Sequence, residues 1–173
     1  MKNVEIKAYC RDPERIRKYL QDKNADFKGT DRQIDTYFNV SEGRLKLREG
    51  NIEKHLIFYK RPDSHGPKRS DVILYQPSDT GMLKNILTAS LGIRVVVDKK
   101  REIYFIDNVK FHIDTVQGLG SFVEIEAQDY DGTKSEEFLR QQCDFYLHEL
   151  GIPAENLISH SYSDMLLDRQ KGK

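Results

Sequence analysis

The sequence predicts an α+β fold in which antiparallel strands dominate and three or four helices accompany them. Short stretches of β-forming residues recur along the chain, divided by tight turns. Apolar residues fall at helical spacing in only a few segments, each with its own start or stop signal. Several strands also carry charge on one face and aliphatic side chains on the other.

The first strand runs from Asn3 to Tyr9, with Val4, Ile6 and Ala8 on one face and Asn3, Glu5 and Lys7 on the other. Asp12 caps a helix that has Pro13 at its first position and Ile16, Tyr19 and Leu20 as its apolar stripe. Asn24 to Gly29 reads as the exit from that helix. Strands follow at Gln33–Val40, Arg44–Arg48, His55–Lys60 and Ser70–Tyr75, parted by Ser41-Glu42-Gly43, Glu49-Gly50-Asn51 and the Pro62–Pro67 loop. A second helix opens at Ser78-Asp79, buries Met82, Leu83, Ile86, Leu87 and Leu91, and stops at Gly92. Arg94–Phe105 and Val109–Val116 are strands hinged at Asp107-Asn108, and Gly118-Leu119-Gly120 leads into Phe122–Ala127. The third helix begins at Thr133, where Glu136 completes a capping box. Its apolar side is Phe138, Leu139, Cys143, Tyr146, Leu147 and Leu150, and Gly151 ends it. Beyond Pro153 the sequence allows one short helix through Tyr162 and Leu166, then a solvated end from Asp168 to Lys173.

The chain has 173 residues, which fits one domain with a buried core, and it shows neither an internal repeat nor a linker. Its 28 basic and 28 acidic residues cancel, which argues against a broad surface for long nucleic acid but not against a locally basic pocket. Cys10 and Cys143 lack the spacing of a zinc site or a disulfide scaffold. No stretch is long and apolar enough for a membrane span or a signal peptide, so the expected location is cytoplasmic, with no membrane partner.

Glu5 and Lys7 share a strand face, as do Arg44, Lys46 and Arg48; Lys99 and Arg101; His112 and Asp114; and Glu124 and Glu126. Two architectures satisfy this pattern. An open sheet would turn the charged face to water and pack its apolar face on helices, and the pattern alone leans that way. A closed sheet would turn the charges inward and place the helices outside. Cations enclosed at low dielectric repel one another, so the closed form requires a polyanion between them, and its carboxylates require a divalent metal.

Glu5-x-Lys7, Arg44-x-Lys46-x-Arg48, Lys99-x-Arg101 ahead of Tyr104, Gly118-x-Gly120-x-Phe122-x-Glu124-x-Glu126, and Ser161-Tyr162 followed by Leu166-Leu167 occur in this order from end to end. In that series the chain resembles the CYTH superfamily of triphosphate tunnel metalloenzymes, most closely its class IV adenylyl cyclase branch, with thiamine triphosphatases as relatives. The resemblance implies a closed antiparallel barrel of eight strands whose lumen binds a triphosphate, and so favours the second architecture. It implies that Arg44, Lys46, Arg48, Lys60, Lys99 and Arg101 contact phosphate, with Tyr162 as a further contact or a packed ring. Glu5, Glu124 and Glu126 become ligands of Mg²⁺ or Mn²⁺, and Glu5 with Lys7 the catalytic pair. Asp114 becomes a metal ligand through water, or else a partner that orients a cation, and His112 reads as structural. One position departs from the family's Glu-x-Glu-x-Lys motif: Asn3 stands where its first Glu belongs, removing a charge from the expected metal site.

The implied partner is a small-molecule triphosphate, with a homodimer left open. Hydrolysis to orthophosphate is the first expectation because no purine pocket is visible in the sequence. Cyclisation of ATP to cyclic AMP and pyrophosphate is the alternative, and a non-catalytic nucleotide or polyphosphate sensor, which Asn3 keeps open, is the second.

Overall fold

The computed structural model describes residues 1–172. Strands β1 (Lys2–Tyr9), β2 (Asp26–Phe38), β3 (Arg44–Glu49), β4 (Lys54–Lys60), β5 (Lys68–Tyr75), β6 (Ile93–Ile106), β7 (Val109–Val116) and β8 (Gly120–Asp129) form one antiparallel sheet. Their order is β5-β4-β3-β2-β6-β7-β8-β1, and β1 then pairs β5, which closes the barrel. Closure is economical. One edge of β1 pairs β8 along its whole length, while the other takes β5 at Lys2–Glu5 and the two-residue β9 (Leu157–Ile158) at Lys7–Ala8. No long edge is thereby left on β1.

Alternation along each strand sorts the side chains. Val4, Ile6 and Ala8 of β1 face outward with Phe111 and Ile113 of β7 and Val123 and Ile125 of β8, all at most 3% exposed. Helices α1 (Pro13–Asp22) and α3 (Glu136–Glu149) cover this surface with Ile16, Leu20, Leu139 and Cys143. Each such large side chain contributes about 1.5–3 kcal/mol on burial. A second cluster joins Val95, Val97, Val116 and Phe122 to Tyr162 on α4 (Tyr162–Lys171). The closed architecture is therefore the correct one of the two.

Several local expectations need correction. Residues 26–29 belong to β2 and are not a helix exit. The β2–β6 register shifts between Phe27 and Gly29, and Gly29, at φ +117°, supplies the backbone freedom this irregularity requires. Helix α2 (Thr80–Leu91) has its expected Asp79 cap and Gly92 stop, but none of its residues is buried, and Met82 and Ile86 are more than half exposed. On α3, Phe138 points outward at 45% exposure. The end from Asp168 is solvated as expected yet helical through Lys171; Lys173 lies outside the described residues.

The α3 cap also moves. Ser135 Oγ accepts from Phe138 N–H at 3.1 Å, whereas Thr133 is held in a turn by Asp131 Oδ1. Ser135→Ala is therefore expected to lower unfolding free energy by about 1 kcal/mol in urea titrations. An equal loss from Thr133→Ala would return the cap to Thr133.

Candidate functional site: a charged tunnel

The inward faces enclose a cavity of about 140 Å³. Glu5, Lys7, Lys46, Arg48, Lys99, Arg101, Glu124, Glu126 and Tyr162 all line it, so the structure brings these expected residues together. Lys46 and Glu124, from opposite halves of the sheet order, meet in one chamber.

Three expected residues do not line it. Lys60 points outside, because β4 alternates His55, Ile57 and Tyr59 inward; its ammonium pairs with exposed Glu42 at 2.6 Å. Arg61, the next residue, takes the inward place. Arg44 is held by Asp164 at 3.1 Å, beside a smaller neighbouring cavity. Asp114 is fully buried behind Arg101, which donates to its two oxygens at 2.7 and 2.6 Å, while the Tyr162 hydroxyl donates to Oδ2 at 2.7 Å. Of the two readings of Asp114, this geometry is that of the carboxylate orienting a cation.

The basic wall is organised by a residue the sequence reading passed over. Asp35 on β2, 1% exposed, accepts from Arg48 Nε and Nη2 at 2.9 Å each, from Lys46 Nζ at 3.0 Å and from Lys99 Nζ at 2.7 Å. Burial alone would raise its pKa, but Arg48, Lys46 and Lys99 outweigh that and hold it well below the ordinary carboxylate range. Burial, and then Arg48, Arg101 and Lys46, push the pKa of the Lys99 ammonium below its ordinary value too, despite Asp35. Glu53 adds a second bracket, binding Arg48 Nη1 at 3.2 Å and Lys110 Nζ at 2.5 Å.

Across the lumen, β1 and β8 place Glu5 opposite Glu126 and Lys7 opposite Glu124. Glu5 pairs with Arg61, and Glu124 binds Lys7 at 3.1 Å and Arg101 at 3.2 Å. Lys7 Nζ also sits 3.7 Å from the Tyr162 ring centroid, a cation–π contact. Glu126 receives Asn3 Nδ2 and Gln128 Nε2 on the same oxygen, Oε1. Burial raises its pKa first; Glu5 and Glu124 add to this, while Lys110 opposes it. His112 Nδ1 lies 3.0 Å from Glu124 Oε2. Burial and Arg101 push that imidazole down to about 4, so it is neutral at pH 7. Facing an ionised carboxylate, Nδ1 must carry the proton, which leaves Nε2 a bare acceptor.

Three glutamates on one wall offer the oxygen ligands that a hard divalent cation prefers. They do not yet converge. Among the described residues, the one trio with ligand atoms within 4.8 Å is Asp63, His160 and Asp164, outside the tunnel. Seven cationic side chains line the cavity against four carboxylates, including Arg61, Lys110 and Glu53, which the sequence reading left out. Continuing the period-two alternation one residue past β4, and back to Lys110 on β7, would have found two of these.

The comparisons agree with this architecture. The "Putative adenylate cyclase MJ0240" of Methanocaldococcus jannaschii is 28% identical over 178 residues, covering 95% of this chain and 98% of its own length. The Pyrococcus horikoshii protein PH1012 superposes with a TM-score of 0.81 at 22% identity, over 94% of this chain and 98% of the other. HpAC1 of Hippeastrum, an adenylyl cyclase candidate described with a dominant triphosphatase activity, superposes with a TM-score of 0.62 at 16% identity, over 98% and 96% of the two chains. The CYTH domain family model matches residues 1–162, and the chain belongs to that family.

Proposed function

We propose that the protein is a divalent-metal-dependent hydrolase that draws a small-molecule triphosphate into its tunnel and releases orthophosphate. The observation that carries this reading is the Asp35 cluster: three cations share one carboxylate, leaving a net positive cradle opposite an acidic wall. Lys46, Arg48 and Lys99 would hold phosphate oxygens, with Arg48 and Arg101 pre-oriented by Asp35 and Asp114. Lys7, pinned between Glu124 and the Tyr162 ring, would place its ammonium on the reacting phosphate. Mg²⁺ or Mn²⁺ at Glu5, Glu124 and Glu126 would neutralise charge that builds on the phosphate during in-line attack. Phosphoryl transfer needs positioning and charge more than covalent help, which suits a lumen lined by fixed ion pairs. Cyclisation of ATP is the second reading, favoured by the name of the Methanocaldococcus relative.

The deciding experiment incubates the protein with ATP, thiamine triphosphate and tripolyphosphate in Mg²⁺ or Mn²⁺ and resolves the products. Orthophosphate is expected, whereas cyclic AMP with pyrophosphate would establish the cyclase. Binding without turnover of any substrate would leave a sensor instead of an enzyme. Lys46→Ala is expected to lower kcat/KM by roughly 10²-fold or more.

Asp35→Asn offers an independent test of the cradle. It strands three buried or part-buried cations and should cost about 3–5 kcal/mol of stability. Because the folded pKa of Asp35 is depressed, its contribution is present above the unfolded value of about 3.9 and fades as pH falls below it. Tripolyphosphate should raise the Tm of Asp35→Asn more than that of the parent protein. Equal shifts would mean that these cations do not bind phosphate.

A further inference from the structure

Three side-chain atoms facing the tunnel are buried without a hydrogen-bond partner among the described residues: Asn3 Oδ1, Gln128 Oε1 and His112 Nε2. All three are acceptors, on residues at most 5% exposed. Asn3 and Gln128 are register partners on β1 and β8, and each turns its amide N–H toward Glu126 Oε1, which leaves both carbonyl oxygens open. A buried acceptor left unsatisfied costs about 1–3 kcal/mol, so a set of them in one cavity calls for a donor.

From this we infer that the tunnel end around Glu126 takes a divalent cation with its water shell intact, the waters donating to Asn3 Oδ1 and Gln128 Oε1. This rests on the metal-dependent reading of the lumen and specifies how the ion is held. Direct ligation by all three glutamates would compete with the pairs already on them, Arg61 on Glu5 Oε1, Lys7 on Glu124 Oε1 and Arg101 on Glu124 Oε2. A hydrated ion requires no ion pair to break. Its waters are donors, matching the two open carbonyl acceptors Asn3 Oδ1 and Gln128 Oε1, and the Glu126 carboxylate supplies the charge. Mg²⁺ gives up its waters reluctantly, so a site that accepts the hydrate avoids that cost. His112 Nε2, beside Glu124, offers the next acceptor along the tunnel.

Cobalt(III) hexaammine tests this directly, because its inert shell presents N–H donors and cannot be exchanged for protein ligands. Calorimetric titration of the full chain should show it binding and displaced by Mg²⁺. Asn3→Leu and Gln128→Leu should each weaken it about tenfold, one lost charge-assisted hydrogen bond. Gln128→Glu, which keeps an acceptor oxygen and adds charge, should tighten it, and this arm stands even if the leucine variants misfold. Failure of the hexaammine to bind, binding without Mg²⁺ competition, or equal affinity in parent and Gln128→Glu would overturn the inference. Tripolyphosphate titrated in parallel separates the two levels. If it binds while the hexaammine does not, only the hydrated-ion inference falls; if it also fails, the tunnel reading falls with it.

Discussion

Like charges enclosed together must be compensated, and the barrel is arranged around that requirement. Lys46, Arg48 and Lys99 converge on Asp35, Arg101 on Asp114, Arg61 on Glu5, and Lys110 on Glu53. Each carboxylate lowers the electrostatic cost of burying its cation but does not cancel the wall's excess. A group with several negative oxygens is what the remaining positive potential would attract. The overall formal charge of zero hides this, because acidic residues elsewhere in the chain balance the concentration inside.

Compensation depends on closure. Glu5 and Glu126 face each other only because β1 pairs β8, and Arg61 reaches Glu5 only because the β4–β5 wall returns to β1. The outward faces of β1, β7 and β8 drive that return: their valines, isoleucines and Phe111 find cover only under α1 and α3. Tyr162 links the two levels, packing on Phe122 at 4.9 Å while donating to Asp114. The hydrophobic exterior thus fixes the register that sets the polar interior.

Much of this was legible because a strand's period is two and its two faces differ sharply in polarity. Val4/Glu5 and Ile125/Glu126 show it without ambiguity. Closure itself was not legible from the pattern, since an open sheet satisfies the same alternation, and only the resemblance favoured a barrel. Asp35 escaped notice because β2 carries Tyr37 and Phe38 beside it, so charge was not its strand's evident theme. The β-forming residues of β4 stop at Lys60, which hides Arg61, although the alternation runs one residue further. Helix α2 misled differently. Its apolar stripe fits the helical period, but periodicity reports which face is apolar and not how far it is covered; here Leu83 and Leu87 are half-buried while Met82, Ile86 and Leu91 are exposed.

Asn3 gains its meaning from the same charge balance. A carboxylate at this position would stand beside Glu126, itself already crowded by Glu5 and Glu124. A carboxamide instead gives Glu126 a donor and turns an uncharged acceptor toward the cavity, and Gln128 repeats the arrangement from the opposing strand. The substitution therefore exchanges ligand charge for hydrogen-bond geometry. It weakens a bare ion held by direct ligation more than one held through its waters, because the hydrate needs acceptors at its rim more than anions at its centre. On the proposed metal-dependent reading, the tunnel would keep this wall in use with Asn3 in place of a glutamate.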